Sequence, residues 1–276
     1  KMSSTDGLYY AAMDADTDGE EGKYYSYKMD ELKMISENTD FKLFLSYYNI
    51  DVENPWEKNK FLLLPNKFKH EKQWIDSNNI SKKELNGLIN IWEKNINKLK
   101  EDRTKPRIDD KIIVSWNSLA IIGLIDAFDA FKNENYLSIA KSMFKELKES
   151  SFRKGQLIHT YKENQFQEGV LEDYAYLSKA SMRLFQATGN ISYFDFSKKI
   201  IDNALELFND EQSDLLKYSN NEELFTKVIS IDDGVTPSPN SIIAEQLFSI
   251  GHVIFDDEYL DLSDKMVSAV QKIIDG

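Results

Sequence analysis

The sequence predicts an all-α fold, built of helical hairpins set side by side in an (α/α) arc. Three observations predict it. From Ser115 onward, apolar residues recur at helical spacing in segments of about 15 to 20 residues. These segments pair across short polar turns, and a polar motif recurs just before the first helix of each pair. The composition agrees, since 11 Gly and 5 Pro in 276 residues are fewer than a chain of tight β-turns uses, and 41% hydrophobic content suffices for a substantial core.

Taken in order, Gly7 to Tyr27 has aromatics flanking an acidic turn and reads as a β-hairpin, an insertion within residues 1–30. Weak amphipathic helices follow at 28–37 and 40–49, and a strong one at 81–101. Helices are then expected at 116–131, 136–149, 171–187, 191–208, 238–254 and 257–274. They form three hairpins closed by Asn133-Glu134-Asn135, Thr188-Gly189-Asn190 and Asp256-Asp257. First helices are apolar and small-residue rich, as in Leu119-Ala120-Ile121-Ile122-Gly123, whereas second helices carry a Lys/Glu stripe, which assigns inner and outer layers. The links between hairpins hold short strands at Gln156 to Tyr161 and Leu215 to Tyr218. We read 1–276 as one toroid domain, incomplete because about four hairpins are visible where a closed ring commonly has six.

A net charge of −13 argues against a nucleic-acid partner, which needs a basic surface. The absence of cysteine excludes disulfides, thiolate metal sites and thiol redox chemistry within these residues. The longest apolar runs fall short of the ~20 residues that span a bilayer, so no membrane partner is expected and the location is read as cytoplasmic. The opening Lys1-Met2-Ser3-Ser4 runs straight into structured-looking sequence, as an excised piece does.

The polar motifs are Arg107 to Lys111 leading to Ser115-Trp116-Asn117-Ser118, then Glu168-Gly169-Val170-Leu171-Glu172-Asp173-Tyr174, then Asp232 to Ser241. Their starts at Trp116, Glu172 and Asn240 lie about 56 and 68 residues apart. In a toroid all inner-helix starts face one end, so the motifs are expected to converge on one pocket. Capping explains part of them, because Asn, Asp and Ser are ordinary N-caps and Pro suits the first turn. It does not explain Trp116 beside Asn117, or Glu172-Asp173-Tyr174 in an apolar helix start. Neighbouring helical residues point about 100° apart, so Glu172 and Asp173 cannot face each other as an acid/base pair. Glycoside chemistry needs two carboxyls roughly 5 to 9.5 Å apart across a sugar, and the catalytic candidates are Asp110, Asp173 and Asp233. Trp116, Asn117, Glu172, Tyr174, Thr236 and Asn240 are expected to position a substrate, with Trp116 and Tyr174 as faces for a sugar ring. His159 precedes the second motif and can reach the pocket; His70 and His252 complete the histidines. Asp14-Ala15-Asp16-Thr17-Asp18-Gly19 matches half of a calcium loop, but Tyr25 stands at the twelfth position where an EF-hand needs Glu. A looser cation site at Asp14, Asp16, Asp18 and Glu20 or Glu21 is the alternative to a solvated turn. No cofactor or tightly held metal is expected.

These same residues carry a family resemblance. Gly7-Leu8-Tyr9-Tyr10, Asp14-Ala15-Asp16, Gly19 to Tyr25, Asp109-Asp110-Lys111, Ser115-Trp116-Asn117, Leu171 to Ala175, and Asp233-Gly234 with Thr236-Pro237-Ser238 and Asn240-Ser241 stand in order over almost the whole chain. On them the chain resembles the helical part of the thioredoxin-domain-containing proteins related to spermatogenesis-associated protein 20. The resemblance implies a toroid of the six-hairpin glycosidase type, similar to N-acylglucosamine 2-epimerases, following a thioredoxin-like domain that these residues lack. The sequence departs from the family pattern at Met13, Ser118 and Pro239, where Glu, Gly and Gly are usual. The expected function is binding or processing of a small sugar in a glycosidase-like or epimerase-like pocket. The alternative is a non-catalytic scaffold, or client-binding module, partnering the thioredoxin-like domain.

Overall fold

The structure is a computed structural model that describes residues 2–65, 71–162, 165–220 and 228–275. His70 lies outside the described residues. The chain runs through β1 (Tyr10–Met13), β2 (Asp16–Thr17), β3 (Glu20–Glu21), β4 (Tyr27–Lys28), α1 (Met29–Ile35), α2 (Phe41–Tyr47), β5 (Lys60–Phe61), α3 (Glu71–Ser77) and α4 (Lys82–Glu101). It continues through β6 (Ile108–Ile113), α5 (Val114–Phe131), α6 (Glu134–Ser150), β7 (Phe152–Arg153), β8 (Gln156–Lys162) and β9 (Gln165–Glu168). It ends with α7 (Leu171–Thr188), α8 (Ile191–Leu207), α9 (Pro239–Ile254) and α10 (Asp257–Asp275). The chain forms two compact units, Lys1–Ala12 with Asp109–Gly276, and Met13–Ile108.

The smaller unit has an aromatic core of its own. The Trp92 ring lies 5.4 Å from Phe44 and 5.5 Å from Tyr47, and its Nε1 donates to Thr39 Oγ1 at 2.9 Å. The strong amphipathic helix expected at 81–101 is α4, which starts in a capping box: Ser81 Oγ accepts from Glu84 N and the Glu84 carboxylate accepts from Ser81 N. The N-terminal hairpin is shorter than expected. Asp18 and Gly19 both adopt positive φ, as a two-residue hairpin turn requires, and pair only Asp16 with Glu21 and Thr17 with Glu20. β1 instead joins the sheet of β6, β8 and β7, and β4 pairs with β5. Three of the carboxylates considered for a cation meet basic side chains, with Asp18 bonded to Lys23, Glu20 to Lys60, and Asp14 3.7 Å from Arg107.

In the larger unit all six expected helices form within two residues of their expected ends. Inner helices α5, α7 and α9 pack in succession, and each is backed by its outer partner α6, α8 or α10. One joint closes all three hairpins. A residue in the left-handed region (Lys132, Gly189, Phe255) is followed by an Asx whose Oδ1 accepts from the N–H two residues on: Asn133 from Asn135, Asn190 from Ser192, Asp256 from Glu258. By length and composition α5 is apolar enough to cross a membrane, but it packs between α6 and α7 and its Asp126 and Asp129 both pair with Arg183 of α7. The strand expected at 156–161 is β8, whereas 215–218 carries no strand and is tied down by a side chain described next.

Candidate functional site

Each inner helix carries one buried Asn or Asp in its first turn. The Asn117 amide pairs with both backbone polar groups of Tyr9, its Oδ1 accepting from Tyr9 N at 2.8 Å and its Nδ2 donating to Tyr9 O and Ile113 O, both at 3.0 Å. Asn240 repeats this on the 215–218 link. Its Oδ1 accepts from Leu216 N at 2.9 Å, and its Nδ2 donates to Leu216 O and Ser230 O. These two buried side chains therefore clip the chain at Tyr9 and at Leu216 to the starts of their helices, with both amide hydrogens taken up by backbone carbonyls.

Asp173 occupies the corresponding place on α7 and does something more. Its Oδ1 accepts from Ser115 N at 3.0 Å and its Oδ2 from Val170 N at 2.9 Å, joining two inner-helix starts. The same carboxylate meets His159 Nδ1 at 2.9 and 3.1 Å. Asp173 is wholly buried while the His159 side chain remains 24% exposed, so the pair places a carboxylate behind an imidazole that faces outward. A carboxylate can only accept, so Nδ1 carries the proton and the neutral ring offers Nε2 as a base. The hydrogen bond that His159 donates to Asp173 raises the His159 pKa above its ordinary 6.5; burial opposes this, and the charges of Asp173 and Glu172 add to it.

Local structure aims the imidazole. His159 sits where the β8–β9 register shifts between Ile158 and Thr160, a bulge that re-directs one side chain. Gly169 lets the chain entering α7 come close to β8, for a Cβ there would stand 2.7 Å from Leu157 O. Glu172 completes the cluster, accepting from Ser115 Oγ at 3.1 Å and from the Tyr218 hydroxyl, whose pKa is raised by burial first and by Glu172 and Asp173 next. Ligand atoms of His159, Glu172 and Asp173 lie within 4.8 Å of one another, close enough to hold a cation, but the Asp173 oxygens already have backbone and imidazole partners.

The remaining candidates lie apart from this arrangement. Asp110 pairs with Lys162 at 2.5 Å, and exposed Asp233 accepts from Ser238 N at 2.8 Å, ordering the turn before α9. Tyr174 is core: its ring is buried against Phe208 and its hydroxyl accepts from Leu157 N, so it cannot stack on a sugar. Thr236 hydrogen-bonds the Tyr176 hydroxyl. Trp116 is half exposed, with an aromatic face open to solvent. Sequence reasoning did not assign Ser115 or Tyr218 a role; Tyr218 lies in an irregular link where no periodicity marks it.

No family model matches the chain. It is 25% identical to an uncharacterized protein of Caenorhabditis elegans over 305 aligned residues, covering 96% of this chain and 40% of that one. It is also 25% identical to mouse spermatogenesis-associated protein 20 over 191 residues, covering 64% of this chain and 24% of that one. The chain thus spans less than half the length of these relatives. Among solved structures, a glycoside hydrolase family 76 α-mannanase of Bacteroides thetaiotaomicron matches with a TM-score of 0.50 at 19% identity, over 60% of this chain and 46% of that one. Cellobiose 2-epimerase of Bacillus thermoamylovorans matches with a TM-score of 0.50 at 12% identity, over 98% of this chain and 67% of that one. At such identities the likeness is one of fold. The chain is similar in sequence to spermatogenesis-associated protein 20, and its helices follow the hairpin-toroid architecture of these two solved structures.

Proposed function

We propose that the larger unit binds and processes a carbohydrate by acid–base chemistry, with His159 and Glu172 meeting the ligand and Asp173 positioning the imidazole. The observation that carries this reading is the buried Asp173 behind a half-buried His159, an arrangement that fixes the tautomer and leaves one ring nitrogen for proton transfer. Trp116, next to the Ser115 that binds both Glu172 and Asp173, offers a face on which a sugar ring can pack. Asp110 and Asp233 serve as local ion-pair and capping groups in this reading. The solved structures of similar fold act on mannan and cellobiose by their names, which motivates the substrate class and nothing finer.

The test is NMR of D-mannose, N-acetylglucosamine, cellobiose and an α-mannan oligosaccharide incubated with the protein in D2O. Deuterium entering at C2 reports proton transfer next to a carbonyl, and new reducing ends report hydrolysis. His159→Gln should abolish either signal while the helical content is unchanged. No binding or turnover of any of these sugars would sink the reading. A second reading, a non-catalytic module for the thioredoxin-like domain that the resemblance implies, is favoured by an apolar hollow of about 580 Å³ along α9 and α10, lined by Phe248, Val267 and Ile274. Pull-down with that domain tests it, and an absence of association would count against it.

A further inference from the structure

The smaller unit holds a polar hollow of about 470 Å³ that the acid–base cluster does not use. One wall is the stretch Thr17 to Ser26, which contains the acidic hairpin turn; the other walls come from Lys60, Glu31 and the residues 102–104 after α4. Arg103 builds the hollow without being free to serve it. Its guanidinium donates to the carbonyls of Lys23, Tyr24 and Ser26 and to Glu31, and it lies 4.6 Å from the Tyr27 ring centre.

Two observations indicate what the hollow accepts. Thr17 and Ser26, both more than nine-tenths buried, stand in its wall, and their hydroxyls have no hydrogen-bond partner among the described residues. Such groups are rare in a folded chain because each gave up its hydration for nothing in return. The second observation is charge balance. Lys23, Lys28, Lys60 and Arg103 face Asp18, Glu20, Glu31 and Asp102, and three of the four cations are already paired, Lys23 with Asp18, Lys60 with Glu20 and Arg103 with Glu31. An incoming anion would find only Lys28, and an incoming cation only Asp102, outside these pairs, and four cations against four carboxylates give either ion no net attraction. A neutral molecule rich in hydroxyls meets the opposite situation. Each ammonium–carboxylate pair presents a donor beside an acceptor, which suits adjacent hydroxyls that both give and receive, and the two orphan hydroxyls gain partners.

We propose that this hollow, walled by Thr17, Ser26 and the Lys23–Asp18 and Lys60–Glu20 pairs, is a binding site for a small neutral polyhydroxylated ligand of about mono- to disaccharide size. Its volume lies in the usual range of small-molecule sites. It is separate from the His159 cluster and stands on different residues.

Isothermal titration with glycerol, D-mannose, N-acetylglucosamine and cellobiose tests the proposal, with inorganic phosphate and glycine as charged and zwitterionic probes. The titrations are run on the 276-residue chain with His159→Gln, so that the larger unit's cluster does not contribute. At least one neutral polyol should bind, and Thr17→Val with Ser26→Ala should weaken it roughly tenfold for each hydroxyl lost. The same double variant, free of ligand, should be no less heat-stable than its parent, because hydroxyls without partners hold nothing together. Absence of polyol binding, a preference for phosphate or glycine, unchanged affinity in the double variant, or a lower melting temperature for it would each overturn the proposal.

Discussion

Removing the wholly buried Asp173 carboxylate would leave Ser115 N, Val170 N and His159 Nδ1 without their acceptor. Asp173→Ala should therefore cost about 3 kcal/mol of stability in urea unfolding, and Asp173→Asn should also destabilise, because one of its two atoms donates where an acceptor is needed. The neighbouring imidazole makes stability depend on pH. Its pKa is raised in the fold, so its contribution is fully present below the unfolded value of about 6.5 and fades as pH rises through the folded value. Wild type minus His159→Gln, followed by chemical unfolding from about pH 5.5 to 9, should give a difference that shrinks toward the alkaline end. At this scale the sequence was half legible. Glu172-Asp173 stood out as charge in an apolar helix start, whereas the His159–Asp173 contact depends on a bulge and a glycine approach that no spacing encodes. Asn117 and Asn240 were read as ligand groups because an amide awaiting a sugar and an amide gripping a peptide are the same residue in a sequence.

The three hairpin joints share one backbone conformation but fill it differently. Gly189 adopts the left-handed region freely, while Phe255 holds it at φ 54° with a side chain that is 93% exposed and contributes little packing. Phe255→Gly should raise stability by about 1 kcal/mol, read as a higher melting temperature. Helices were the most legible elements, since amphipathic periodicity extends over four or five turns and the Asx at each joint marks the boundary. The N-terminal strands were the least, because a two-residue ladder leaves no alternation to read and β1 finds its partner about a hundred residues away.

Two separate cores make local damage local. Trp92→Ala should cost roughly 3–5 kcal/mol to the unit that contains it, with hydrogen exchange accelerating in α1, α2 and α4 while α5, α7 and α9 keep their protection. Uniform acceleration across both units would contradict that expectation. The division was not legible in the sequence, because an apolar stripe says that a helix is buried and not against which core. The toroid was more accessible: periodic helices and recurring motifs give the hairpins, and the likeness to solved structures supports the same fold. The amide clips also bear on how the protein ages. Asn117-Ser118 and Asn240-Ser241 each place a small residue after an asparagine, a context in which the side chain can lose ammonia and become Asp. A carboxylate formed there would set a negative oxygen against two carbonyls where an N–H₂ had bridged them. While the hydrogen bonds hold, they fix each amide in a helix away from that reaction. An excursion to the open chain exposes both to a change that refolding cannot reverse, so the rate of that change at these two positions is set by how often the chain unfolds.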